Sequence, residues 1–139
     1  LPTHQIAGMG HAFELAYHAM SQDYEKLASL KSLFLDKVLV LPCVALNGAI
    51  ENTVPGIINL TFKDIDGQVL LSALPMLAIS SGSACNSATV SPSHVLNSMG
   101  LSDQEALSAL RFSFGRFTTQ EEVILSADML VDVLKKLSV

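Results

Sequence analysis

Charge is scarce in this sequence: Asp, Glu, Lys and Arg make up 15% of its 139 residues, against 50% apolar. That balance excludes a disordered chain, which carries few apolar groups and much net charge. Basic clusters are missing too. Beyond Lys135-Lys136 there is none, and 8 basic residues stand against 13 acidic ones, for a net charge of −5. A nucleic-acid or anionic-membrane surface needs the opposite pattern, so neither partner is expected. Long apolar runs are absent. Residues 38–46 are broken by Pro42, and 70–79 by Ser72 and Pro75; both fall short of the ~20 residues of a membrane helix. The start carries no signal-peptide pattern. Cysteine occurs only as Cys43 and Cys85. Two cysteines make no disulfide framework, so a reducing, cytoplasmic compartment is the expectation. No fixed-period repeat and no biased linker appears, which leaves one domain over 1–139. A chain this size buries roughly two thirds of its unfolded surface and needs no metal or disulfide staple. The first residue is Leu1 rather than Met, so a processed start or a piece of something longer is expected.

What is present begins with a helical stripe: Ile6, Met9, Phe13, Ala16, Met20, Tyr24, Leu27, Leu30, Phe34 and Val38, spaced by threes and fours. Ser21-Gln22-Asp23 offers a fresh cap, so a kink or break is predicted there. Unbroken, residues 4–38 would span about 52 Å, against a radius of gyration of about 14 Å for a compact chain of this length. The first half of the helix is therefore expected to overhang and pack on something outside the chain. Gly8 and Gly10 permit another backbone to approach it.

Residues 38–46 read as a buried strand ending in the Asn47-Gly48 turn. A second strand is predicted over 56–62, with Ile58, Leu60 and Phe62 on one face. Asp66-Gly67 marks a turn, 68–74 a short helix, and 77–80 a short strand. Ser91 and Pro92 open the next helix, which Gly100 closes. Ser102-Asp103-Gln104-Glu105 is a capping box for another. Residues 111–114 read as a strand. The segment 118–122 caps a last helix whose stripe is Val123, Ala127, Leu130, Leu134 and Leu137. This irregular alternation predicts an α/β (α+β) domain with a small, partly antiparallel sheet packed on helices.

Between these elements, 80–91 is built almost wholly of small residues around Cys85. Nothing in it can anchor in a core, so it is expected to be a mobile surface loop. A thiol on a polar, exposed loop can ionise and attack. A chance cysteine in a serine-rich connector fits the same composition. Cys43, in an apolar stretch, reads as a small core hydrophobe.

Ser80-Ser81-Gly82-Ser83-Ala84-Cys85, then Ser91-Pro92-Ser93, then Arg111-Phe112-Ser113-Phe114-Gly115-Arg116-Phe117-Thr118-Thr119 occur in that order. The set is similar to the C-terminal part of a cysteine desulfurase of the IscS/NifS type. The opening Leu1-Pro2-Thr3-His4-Gln5-Ile6-Ala7-Gly8-Met9-Gly10 resembles the family's segment after its R-x-G-T motif. One departure is Pro55-Gly56-Ile57-Ile58-Asn59, where the family usually has P-N before the apolar pair.

The resemblance implies a fold-type-I, pyridoxal-phosphate-dependent homodimer longer than this chain, with the cofactor lysine in a large domain that is absent here. None of Lys26, Lys31, Lys37, Lys63, Lys135 and Lys136 sits in the family's S-x-H-K context, so no cofactor is expected in the piece alone, which is expected to be inactive. In the intact enzyme the cofactor acts as an electron sink. Cys85 takes the sulfur of L-cysteine as a persulfide and L-alanine leaves. Arg111 holds the substrate carboxylate. Sulfur passes to an iron–sulfur scaffold protein or another acceptor for cluster and thio-cofactor assembly, and Cys85 is a candidate ligand of a [2Fe–2S] cluster shared with that scaffold.

Two other readings stay open: a stand-alone, non-catalytic sulfur-carrier or scaffold-binding module, and the small domain of a selenocysteine lyase or another class V aminotransferase. The remaining motifs read as structural. His4, His11 and His18 share a helix face but successive members lie about 10 Å apart along it, too far to share one zinc ion. His94 is a weaker candidate base for Cys85, and Arg116 has a structural reading. Glu121-Glu122 and Asp64/Asp66 read as a helix start and a turn.

Overall fold

The structure is a computed structural model, and it describes residues 1–51, 53–81 and 91–137. Helix α1 (Thr3–Val38) leads into strands β1 (Val44–Leu46) and β2 (Ile57–Phe62), then helix α2 (Gly67–Ala73) and strand β3 (Ser80–Ser81). Two short helices follow, α3 (His94–Ser98) and α4 (Asp103–Leu107), then strand β4 (Ala109–Ser113) and helix α5 (Gln120–Leu137). The strands form a sheet in the order β1-β2-β4-β3, and every pairing among them is antiparallel.

Period-two alternation assigns the two faces of this sheet. Ile58, Leu60 and Phe62 of β2 and Leu110 and Phe112 of β4 point one way and are buried. Leu30, Phe34, Leu35 and Val38 from the end of α1 cover them, with Val123, Ala127, Leu130 and Leu134 of α5 and Leu70 and Leu74 around α2. Phe34 stands with its ring centroid 5.0 Å from Phe112 and 5.5 Å from Phe114, spacings typical of tilted and edge-on aromatic pairs. The opposite face has a smaller cover. Leu96, Leu101 and Ala106 from α3, α4 and their connection pack on Ala109.

Several local expectations hold. Ser102 and Glu105 form the reciprocal capping box of α4, and Asp66 caps α2 by accepting from the amides of Gln68 and Val69. Thr119 and Glu122 cap α5 the same way: the Thr119 amide donates to Glu122 Oε2, and the Glu122 amide to Thr119 Oγ1. Gly100, at φ +99°, closes α3 in a conformation other residues rarely adopt.

Others are corrected. Helix α1 runs unbroken through 21–23. No Gly or Pro stands there to break it, and the Asp23 carboxylate, instead of capping a new start, binds Arg116 at 2.6–2.7 Å. The strand predicted over 38–46 shrinks to Val44–Leu46. Val38 belongs to the helix and is fully buried, and two turns, Leu41 N–H to Val38 O and Val44 N–H to Leu41 O, carry the chain past Pro42. The predicted strand over 77–80 is a tight turn up to Ile79, and pairing starts at Ser80. Helix α3 is capped by Ser93 rather than Ser91, which leaves Pro92 outside the first turn. Leu137 sits at the solvated end of the α5 stripe and is exposed. The first half of α1 does overhang: Phe13 and Met20 are 70% and 62% exposed.

Candidate active site

The second face of the sheet carries a polar row. Strand register sets Asn59 directly opposite Arg111 on one side and Ser80 opposite it on the other. The row continues to Asn47, just past β1, whose amide donates to Asn59 O at 2.9 Å. Asn47, Asn59, Arg111 and Ser80 thus cross all four strands in line, each half-buried. Alternation forces this result. Phe112 and Leu110 take the core side of β4, so Arg111 between them must project from the other face.

The Asn side of the row is wired. Asn47 Nδ2 donates to Asn59 Oδ1 at 2.6 Å and to Thr61 Oγ1 at 2.8 Å. Thr61, buried, reaches Asn47 Oδ1 at 3.2 Å and Glu105 O at 3.5 Å. Arg111 differs. Its guanidinium has no hydrogen-bond or ion-pair partner among the described residues. A planar group with five donors, half-buried and unpaired, is suited to receive a carboxylate.

Cys85 lies outside the described residues, as does the loop expected around it. Ser81, the last described residue before that segment, pairs with Leu110, next to Arg111. Cys43 is half-buried and packs against the core, as a small hydrophobe would.

The other candidates separate. Arg116 is committed to Asp23, and Lys26 Nζ donates to Arg116 O at 2.6 Å. Together they tie the turn after β4 to α1. His94 is exposed at the start of α3. His4, His11 and His18 are exposed, and His11 Nδ1 meets Glu14 at 3.3 Å. No cluster of His, Cys, Asp or Glu suited to a metal occurs among the described residues. The Ser102 hydroxyl and backbone N–H, both bonded to Glu105, lower that carboxyl below its ordinary pKa.

Sequence reasoning missed Asn47 and Asn59. The signal was a polar residue at the strand position between Ile58 and Leu60, on the face that Arg111 shares. The departure at Gly56 also has a cause. A Cβ there would stand 2.7 Å from the carbonyl oxygen of Phe114, and Gly56 O accepts the Phe114 amide at 2.7 Å. A larger residue needs the two segments to part.

The sequence pattern of the Aminotransferase class-V family matches residues 1–125. The chain belongs to that family. It is 45% identical over 99% of its length to a cysteine desulfurase IscS of Vibrio cholerae serotype O1, and 46% identical over 99% to one of Vibrio campbellii. It spans about a third of these relatives, 35% and 34% of their lengths. A NifS-like protein of Rickettsia africae shares the fold, with a TM-score of 0.78 and 25% identity over 94% of this chain and 34% of that one.

Family membership implies pyridoxal phosphate in the intact enzyme, and this chain's residues do not fit the group by themselves. A Schiff-base lysine needs a free amine in a desolvated pocket. Lys26 is bonded to Arg116 O, Lys31 to Ile50 O and Thr53 Oγ1, and Lys37 to Asp128. Lys63, Lys135 and Lys136 are exposed.

Proposed function

We propose that this chain is the C-terminal small domain of a cysteine desulfurase, over 1–139. Arg111 binds the carboxylate of L-cysteine, and Cys85 receives its sulfur. One observation carries the reading: a half-buried Arg111, without a partner among the described residues, on the strand that pairs with Ser80 and Ser81, where the chain leaves toward Cys85. Cys85 follows Ser81 by four residues, a tether of at most ~14 Å when fully extended. The two functional groups are thus tied to adjacent strands of one sheet, Arg111 to β4 and Cys85 to the end of β3.

The division of labour follows from chemistry. Arg111 fixes the substrate by its charge and its fork of donors. The Cys85 thiolate is the nucleophile toward the substrate sulfur, and a persulfide on Cys85 and L-alanine are the products. Pyridoxal phosphate supplies an electron sink; its lysine belongs to polypeptide outside this chain, so the piece alone is inactive. The intact enzyme is a cytoplasmic homodimer that hands sulfur to an iron–sulfur scaffold protein, where Cys85 also serves as a ligand of a shared [2Fe–2S] cluster. No helix among the described residues is long and apolar enough to cross a membrane.

The test is persulfide trapping in the full-length enzyme. After one turnover with L-cysteine, an alkylating probe followed by reductant should release sulfur from Cys85 and leave Cys43 unlabelled. Sulfur on Cys43, or alanine formation by this 139-residue piece unaided, overturns the reading.

A further inference from the structure

We propose that Asn59 is a second holder of the substrate carboxylate beside Arg111, and that Asn47 is the positioning residue that turns Asn59 toward it. The proposal rests on the reading of Arg111 given above. A carboxamide has an acceptor on one branch and a donor on the other. The acceptor of Asn59 is taken, since Oδ1 receives Asn47 Nδ2 at 2.6 Å. This bond sets the hand of the carboxamide. Turned over, Asn59 would present Nδ2 to Asn47 Nδ2, donor against donor. With Oδ1 toward β1, Nδ2 lies on the branch away from β1, and β4 with Arg111 is the neighbour on that side.

Asn59 Nδ2 has no partner among the described residues, and neither has the Arg111 guanidinium. They cannot satisfy each other, because both only donate. Residues directly opposite in an antiparallel pair have Cβ atoms about 4.5–5.5 Å apart, which lets both side chains reach the two oxygens of one carboxylate. A row that offers donors from two adjacent strands, with no acidic residue in it, selects a planar anion over a neutral amide. Asn47 is held in turn by the buried Thr61, so the orientation is anchored in the fold rather than in solvent.

The experiment uses the full-length enzyme with its cofactor bound. It compares inhibition by L-alanine, which carries the carboxylate, with inhibition by L-alaninamide, which does not. Asn59→Asp preserves shape and the acceptor for Asn47 but replaces the donor by a negative oxygen. It should weaken L-alanine by about tenfold or more, the scale of a charged hydrogen bond lost, and leave L-alaninamide within about twofold. Asn59→Ala should weaken L-alanine less than Asn59→Asp does. A purely structural role predicts the reverse order, since the alanine variant disturbs the sheet more. Asn47→Ala leaves Asn59 in place but frees its carboxamide, and should cost L-alanine about threefold; it reads the same site if Asn59→Asp fails to fold.

Arg111→Lys, measured alongside, separates two failures. If it erases the preference for L-alanine while the Asn59 and Asn47 variants keep it, the inference is wrong and the reading of Arg111 stands. If Arg111→Lys also keeps the preference, the carboxylate is held elsewhere and both fall.

Discussion

The two faces of the sheet are made from the same strands and have opposite characters. On the core face, Ile58, Leu60, Phe62, Leu110 and Phe112 are sealed by α1 and α5. On the other, Asn47, Asn59, Arg111 and Ser80 stay half-buried beside a small cover of α3 and α4. The first face spends its side chains on burial, which is non-directional and tolerant of sequence. The second spends them on donors whose directions are set by register. A change on the first face should therefore move stability, and a change on the second should move substrate affinity.

The largest effects sharpen that division. In the full-length enzyme, Cys85→Ser should lower desulfurase turnover by about a thousandfold or more, with an unchanged melting temperature. Arg111→Ala should lower kcat/KM by about a hundredfold, as two charged hydrogen bonds are lost, again with little change in melting. An unfolded Arg111→Ala protein would break the comparison. On the core face, Phe34→Ala should cost about 3–5 kcal/mol in urea denaturation, because that ring touches both Phe112 and Phe114.

Smaller effects follow. Asp23→Asn breaks a partly exposed ion pair with Arg116 and should cost at most about 1 kcal/mol; a larger loss in the same denaturation would mean that the turn after β4 depends on it. The smallest is a pH effect. Glu105 has its pKa lowered by its Ser102 bonds. Its contribution is present above the unfolded-state value and lost as pH falls through the folded one. Melting temperature followed from pH 7 down into the acid range should fall less steeply in Ser102→Ala than in the parent. Identical slopes would remove the capping box from the account.

Much of the fold was legible because it is written in local rules. The caps at Asp66, Ser102 and Thr119, the turn at Gly100 and the stripe of α5 depend on residues a few positions apart. The failures share one cause. The 21–23 segment looked like a new helix start until Arg116, distant in sequence, claimed Asp23. Residues 38–46 looked like one strand, but the core needed Val38 on the helix. The site was half legible. Arg111 stood in a motif, whereas Asn47 and Asn59 carried no signal beyond alternation.

Sequence alone determined the apolar periodicities, the helix caps and the family motifs in which Cys85 and Arg111 stand. Those depend on side-chain chemistry and near-neighbour spacing, which a linear chain displays openly. Tertiary structure alone decided that Asn47, Asn59, Arg111 and Ser80 share one line, because only strand register can bring residues from four separate segments to a single row. It also decided that Gly56 lies close against the carbonyl of Phe114, a neighbour that arrives from a segment far along the chain.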